Sequence, residues 1–446
     1  MDTQKLTVIL VPFIVYCILG LYYGEKVSND DAEYLVLSEG LLRGELPQVK
    51  THRIVHFSAL ALMEWLFDYN IPLIRLYLIL VSTGSVYLMY CILRTRYGSE
   101  DSVWGALLFS SGPALVYVSP TMLIGPIGLF YSLLGLYLYL SSKDDFFILS
   151  ASGLVLGLGF LARETVLAMF AAIVFAMLVR RDFKRAMVFS FSFALLPALY
   201  GMLIPSELLR KWIFFLFDTA AVTPGKDYMR VFFRVVHFLL GLQLLGIIGA
   251  YATAKGFLKS YRNKLGDLDI ILLVYFMISL VLIVTWPLTN IRYFMALLPT
   301  FAYYTVGYLP KMLDRYRKHL MAIIILSGYI GGYAVGYFFL GLEQPTEDAV
   351  YWISSNIGRG SSVYTNSDAI SYHLRHRDFT VVDDIGQADF IVEVYVPVKA
   401  GFESRVPGTE NMTSVRTFEY VRPALIQRMT YGGGQTVRIL KAGFSI

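Results

Sequence analysis

Long apolar runs nearly free of charge recur along this chain, separated by short clusters of charge. The clearest runs occupy residues 6–23, 71–93, 121–141, 231–254, 268–286 and 320–342. Their length of roughly 18 to 24 residues is what a helix needs to cross about 30 Å of hydrocarbon. Inside lipid every backbone N–H and C=O must be paired within the segment, so each run is predicted to be helical. A transmembrane barrel would show alternating segments of roughly ten residues, and no such pattern is present. Shorter runs at 103–118, 146–161, 164–179, 186–204 and 293–309 bring the number of predicted spans to about eleven.

The loops give the spans a direction. One set holds Arg94 and Arg96, then Lys143, then Arg180, Arg181, Lys184 and Arg185, then Lys255, Lys259, Arg262 and Lys264, and last Lys311, Arg315, Arg317 and Lys318. These loops alternate with loops much poorer in Lys and Arg, so the basic set is expected on the cytoplasmic side, with Lys5 placing the N-terminus there too. The opposite side then receives the first loop, 24–70, the loop 205–230 and everything after residue 342.

From residue 343 the pattern changes. Runs such as Ser362-Val363-Tyr364-Thr365, Thr380-Val381-Val382 and Phe390-Ile391-Val392-Glu393-Val394 read as strands, and 347–357 and 367–376 read as helices between them. The predicted architecture is an all-α polytopic membrane domain over 1–342 followed by a small extracytoplasmic α/β domain over 343–446. Asn411-Met412-Thr413 is a glycosylation acceptor triplet on that outer side.

Composition agrees with this division. Of 446 residues 56% are hydrophobic and 16% charged, against about 25% charged in soluble chains. The net charge of +5 comes largely from the short loops, which argues against a nucleic-acid partner. Cys17 and Cys91 both fall in predicted spans and form no disulfide framework. No small-residue cleavage site follows the first apolar run, which is therefore expected to be a retained helix.

Candidate chemistry gathers on the outer side. The first loop begins Asn29-Asp30-Asp31-Ala32-Glu33-Tyr34, and Tyr34, Leu37, Leu41 and Leu42 share a face at helical spacing before Gly44 and Pro47. This predicts an amphipathic helix on the membrane surface. Its acids are either a cap with a solvated first turn or a general base or metal ligand. Arg163-Glu164 interrupts an apolar stretch of about thirty residues; charges at that depth are costly and are usually paired or functional, the alternative being a surface turn with a snorkelling arginine. Arg292-Tyr293 stands between two apolar spans, as an interfacial anchor or as a phosphate ligand. In the 205–230 loop Lys226 and Tyr228 are the positions singled out.

Together these features resemble the GT-C superfamily of integral-membrane glycosyltransferases. The resemblance is to the branch that uses dolichyl- or polyprenyl-phosphate sugars and includes protein mannosyltransferases and aminoarabinose transferases. It is carried by Asp30-Asp31-Ala32-Glu33-Tyr34 through Gly44, by Arg163-Glu164, and by Arg292-Tyr293 with Pro299. Where many members have a Lys-Pro-Pro-like stretch this chain reads Lys50-Thr51-His52-Arg53-Ile54-Val55-His56, a departure that leaves the acceptor class open.

The resemblance implies transfer of a hexose, mannose or similar, from a polyprenyl-phosphate donor to a protein, glycan or lipid acceptor in a prokaryotic cell membrane. Asp30, or Asp31, would be the base of a single inverting displacement. Arg292 and Arg163, with Arg53 behind them, would receive the charge that develops on the leaving phosphate. Glu33, Tyr34, Glu164, Tyr293, Lys226 and Tyr228 would support them. A divalent cation, Mg or Mn, could neutralise the same charge, and no ligand set is assigned to it. The alternatives are a multi-span transporter or flippase and a non-catalytic scaffold. A transporter would bind at the midplane between repeats, and no repeat is visible.

Overall fold

The computed structural model describes residues 3–24, 26–47, 50, 53–210, 228–262, 266–285, 291–308, 316–340, 344–382, 384–395, 414–421 and 434–441. The chain divides into two compact units. One holds Met1–Tyr22 and Gly40–Val335, the other Tyr23–Glu39 and Gly336–Ile446.

The first unit is helical throughout. The apolar runs become α1 (Thr3–Tyr23), α4 (Ile71–Arg94), α5 (Ser99–Ser110), α6 (Pro113–Val118), α7 (Gly125–Ser142), α8 (Phe146–Phe160), α9 (Val166–Val179), α10 (Phe183–Leu203), α11 (Tyr228–Arg262), α12 (Asp267–Thr285), α13 (Leu298–Tyr308) and α14 (Arg317–Leu340). Two further helices, α2 (Asn29–Leu42) and α3 (Ile54–Phe67), lie in the predicted first outer loop. Among the described residues six helices are long and apolar enough to cross a membrane, and α8 and α9 are shorter apolar helices of 15 and 14 residues. The chain is an integral membrane protein.

Local chemistry sets the helix ends. Asn70 accepts from the Leu73 N–H at the start of α4, with Pro72 in the first turn. Asp145 accepts from the Phe147 and Ile148 N–H groups at 2.7 and 3.2 Å at the start of α8. Asp182 does the same for α10. Each satisfies N–H groups that the helix itself leaves free. The stretch read as one span over 103–118 is in fact two helices. Gly112 precedes Pro113, whose fixed φ and missing N–H suit the first position of a new helix and not the middle of an old one. In α11 the break is Gln243, at φ 47° and ψ −133°. The 293–309 run begins as a 3₁₀ segment, Ile291–Leu297, before α13.

Close packing fixes α8 on α10. A Cβ added to Gly153 would lie 2.6 Å from the Phe189 carbonyl oxygen, and one on Gly157 would meet the Phe193 carbonyl. Small residues let helix backbones approach this closely in lipid, where van der Waals contact replaces the hydrophobic drive.

The second unit contains a five-stranded sheet, in the order β2-β1-β3-β5-β4, of β1 (Ser362–Thr365), β2 (Thr380–Val382), β3 (Phe390–Tyr395), β4 (Ser414–Val421) and β5 (Gly434–Lys441). The strands β1, β2 and β3 are parallel, while β5 runs antiparallel to β3 and to β4. The helices α15 (Gln344–Asn356) and α16 (Asp368–Arg375) cover it, with Val350, Ile353, Ile370 and Leu374 packed on Val363, Val392, Val437 and Ile439. Glu393 is buried on β3 and receives Arg438 from its register partner position on β5 at 3.3 Å. The chain is thus an all-α membrane part with a small α/β sheet unit. The triplet Asn411-Met412-Thr413 lies outside the described residues.

Candidate active site

The turn between α8 and α9 is the centre of a polar cluster in the first unit. It leaves α8 through the Arg163 N–H, which donates to the Gly159 carbonyl at 2.7 Å, and re-enters helix through Val166, whose N–H donates to the Arg163 carbonyl at 3.2 Å. The start of α3 is tied to this turn by the Val55 N–H, which donates to the Leu161 carbonyl at 3.2 Å. An apolar cluster of Leu161, Ile204 and Leu208 with Ile54 and Val55 backs the joint. This brings Arg53, the residue before α3, against the turn. Its Nη2 donates to Glu164 Oε1 at 3.0 Å, and both side chains are largely covered.

Arg163 is 6% exposed. Burial works against its charge. The adjacent Glu164 carboxylate and Tyr293 support that charge, while Arg53 and Arg292 oppose it. The guanidiniums of Arg53 and Arg292 therefore each lie within electrostatic reach of Arg163. Arg292 and Tyr293 come from the 3₁₀ segment, with the Arg292 guanidinium carbon 5.6 Å from the Tyr293 ring centre.

A second tier holds the loop before α7. Arg75 is 1% exposed and donates through Nη1 to the Pro120 carbonyl at 2.6 Å. His56, fully buried on α3, lies 3.0 Å through Nε2 from the Met122 carbonyl. A carbonyl can only accept, so Nε2 carries the proton. Burial pushes the His56 pKa down to about 3, and the charges of Arg53 and Arg163 push the same way against the pull of that hydrogen bond.

The sign of the consequence is fixed. An unfolded histidine, titrating near about 6.5, takes up a proton that the folded one refuses down to about pH 3. Stability is complete above the unfolded value and is lost as pH falls through that window. At about pH 5 the expected loss is about 2 kcal/mol. Thermal unfolding of the detergent-solubilised protein should show the decline. His56→Gln, whose amide can still donate to Met122, should remove much of it; an unchanged decline would place the acid sensitivity elsewhere.

The residues singled out in the sequence divide three ways. Arg53, Arg163, Glu164, Arg292 and Tyr293 come together in the first unit. Asp31, Glu33 and Tyr34 belong to α2 in the second unit, where Asp31 and Tyr34 are buried and the Asp31 N–H donates to Ser28 Oγ at 3.2 Å. Leu42, on the predicted surface stripe, is exposed. Asp30 is in the first turn of α2 and Tyr228 in the first turn of α11, but both side chains, and Lys226 altogether, lie outside the described residues. Sequence reasoning missed His56, the fully buried Glu64 and Arg75. The available signal was a charge inside an apolar run, the same signal that marked Arg163.

Among the described residues no three or more His, Cys, Asp and Glu side chains gather to hold a metal ion. An open groove of about 370 Å³ runs along α3, lined by Leu41, Leu42, Ser58, Ala61, Leu62 and Trp65.

Comparison with known proteins gives this arrangement its class. Residues 51–206, about a third of the chain, match the model of the dolichyl-phosphate-mannose-protein mannosyltransferase family. That window contains Arg53, His56, Arg75, Arg163 and Glu164. Among solved structures, ArnT from Cupriavidus metallidurans bound to undecaprenyl phosphate is similar at a TM-score of 0.62 and 12% identity, over 97% of both chains. The Archaeoglobus fulgidus oligosaccharyltransferase in its apo form follows at 0.59 and 12% identity, over 87% of this chain and 65% of that one. The mycobacterial arabinofuranosyltransferase AftD matches at 0.50 and 13% identity, over 98% of this chain and 40% of that one. No curated protein sequence matches significantly. The chain has the fold of the GT-C superfamily of membrane glycosyltransferases.

Proposed function

We propose that the protein is a glycosyltransferase that moves a hexose, mannose or similar, from a polyprenyl-phosphate donor to an acceptor on the extracytoplasmic face with inversion at the anomeric carbon. The observation that carries this reading is the arginine cluster. Arg53 and Arg292 both oppose the charge of the buried Arg163, and Glu164 is the carboxylate that supports it. Like charges are held together there at a cost that a bound phosphate would offset.

In the proposed reaction an acceptor hydroxyl attacks the anomeric carbon as its proton passes to a carboxylate, Asp30 or Asp31. The bond to the phosphate oxygen breaks, and the polyprenyl phosphate leaves with an added negative charge. Guanidiniums placed where that charge grows favour the transition state over the ground state. Glu164 holds Arg53 in place, and Tyr293 stands beside Arg292. A divalent cation would supply the same neutralisation, and no step is routed through one. The groove also supports a lipid carrier. It starts about 8 Å along α3 from Arg53, at 1.5 Å per residue, and its apolar lining suits a prenyl chain whose phosphate sits at the arginine end.

The test is incubation of purified protein with polyprenyl-phosphate mannose and polyprenyl-phosphate glucose and a panel of peptide, glycan and lipid acceptors, following free polyprenyl phosphate and the anomer formed. Release with one donor and an inverted product is the expected result. No release with any donor and acceptor would overturn the reading in favour of transport or flipping of a lipid-linked substrate.

A further inference from the structure

The Arg163 side chain lies in a slot that two glycines make possible. Its Nε is buried with no hydrogen-bond partner, a costly state for a guanidinium N–H unless an acceptor arrives. The stem crosses Gly128: a Cβ added there would lie 2.8 Å from Arg163 Cδ, 3.0 Å from its Cβ and 3.3 Å from its Cγ. The head reaches Gly125, where an added Cβ would lie 2.8 Å from Nη1. Residues three apart share a helix face, so the missing methyl groups form one continuous trough along the first turn of α7. Met295, from the same 3₁₀ segment as Arg292, closes on Gly125 with its Cε and lies 3.2 Å through Sδ from the same added Cβ.

The trough ends at a helix start that no side chain caps. The first N–H groups of a helix carry partial positive charge and turn toward anions; here Pro126 has none and that of Gly128 donates to the Ile124 carbonyl at 3.1 Å, so the donors left are those of Gly125 and Ile127. A guanidinium whose Nε is buried and unsatisfied is thus laid against the positive end of an 18-residue helix, and both features call for the same kind of ligand.

We propose that Gly125 and Gly128 are positioning residues that seat Arg163 against the N-terminus of α7, so that guanidinium and helix end together hold one phosphate group, that of the polyprenyl carrier. The proposal rests on the donor reading above. It adds that the arginine works only from this seat, and that a methyl group in the trough removes its effect without removing its charge.

The experiment measures binding of polyprenyl monophosphate to the full-length protein in phosphatidylcholine nanodiscs, with inorganic phosphate as a competitor. The variants are Gly128→Ala, Arg163→Gln and the double variant. Displacing a ligand group by about 1 Å can cost a large factor, so Gly128→Ala should weaken binding about tenfold with little change in melting temperature. Arg163→Gln should weaken it at least as much. The double variant should bind no worse than Arg163→Gln alone, because the two residues act through one contact. Competition by inorganic phosphate in the wild type, reduced in Gly128→Ala, would assign recognition to the phosphate alone; a glycine effect seen only with the lipid would assign it to the carrier.

Losses that add in the double variant, or Gly128→Ala binding within about twofold of wild type, would overturn the glycine seat while leaving the donor reading intact. Failure of the wild type to bind the carrier would overturn both. Should Gly128→Ala fail to fold, Gly125→Ala carries the same comparison, since its methyl meets the flexible ends of Met295 and Arg163.

Discussion

Asp30→Asn is expected to lower sugar transfer by about a hundredfold or more while leaving polyprenyl-phosphate binding within a few-fold of wild type. Positioned proton transfer contributes roughly 10²–10⁴ in rate, and an amide of the same shape cannot accept the acceptor's proton. Binding should survive because the phosphate is assigned to Arg53, Arg163 and Arg292, none of which the change touches. Asp31→Asn is the companion measurement. Asp31 is buried in the first turn of α2 and held locally by its N–H bond to Ser28, where removing its charge would act on the helix as well as on chemistry. Initial rates with saturating donor, alongside donor affinity, separate the two. Loss in Asp31→Asn alone would move the base by one residue, and full turnover in both variants would defeat the carboxylate mechanism.

Glu164→Gln should destabilise the resting protein by about 3 to 5 kcal/mol, the usual cost of removing one partner from a buried ion pair. The reason is specific. Glu164 accepts from Arg53 at 3.0 Å and is the strongest support for the Arg163 charge, while Arg53 and Arg292 oppose that charge. Without the carboxylate the Arg163 charge meets those of Arg53 and Arg292 with less compensation. A phosphate should then matter more. Polyprenyl phosphate is expected to raise the melting temperature of Glu164→Gln by more than it raises that of wild type, since at one ligand concentration the protein that binds more tightly gains more stability. Equal shifts in the two proteins would mean that Glu164 and the phosphate do not share an electrostatic environment.

Much of the framework was written in the pattern of apolar runs, because hydrocarbon leaves the backbone so few options. Each of the eleven runs contains helix, and the C-terminal strands at 362, 380 and 390 with the two helices between and before them lie close to their predicted places. The turn at Arg163-Glu164 was legible for the same reason: an ion pair's worth of charge has no business in lipid unless something answers it. Part of what escaped was decided by tertiary packing. The break at Ser111–Pro113 was available locally in Gly112-Pro113, a turn dipeptide inside an apolar run, whereas nothing in the sequence around Gln243 marks a break there. Arg75 sits in a span by composition and is tolerated there because a carbonyl at Pro120 turns back to receive it. Strands β4 and β5 went unread although Thr417-Phe418-Glu419 and Val437-Arg438-Ile439 alternate polar and apolar residues, the period of a half-buried strand. The role of His56 was invisible, since nothing in a sequence shows that Met122 offers it a carbonyl.

The helices that carry the Arg163-Glu164 turn are short. At 1.5 Å per residue, 15 and 14 residues span only about 21 to 23 Å, well under the roughly 30 Å of an average hydrocarbon slab. A bilayer meeting this protein must dimple beside α8 and α9, drawing its headgroups down toward the turn. On the donor reading proposed above, such thinning would bring a carrier lipid's phosphate closer to the depth of the guanidiniums.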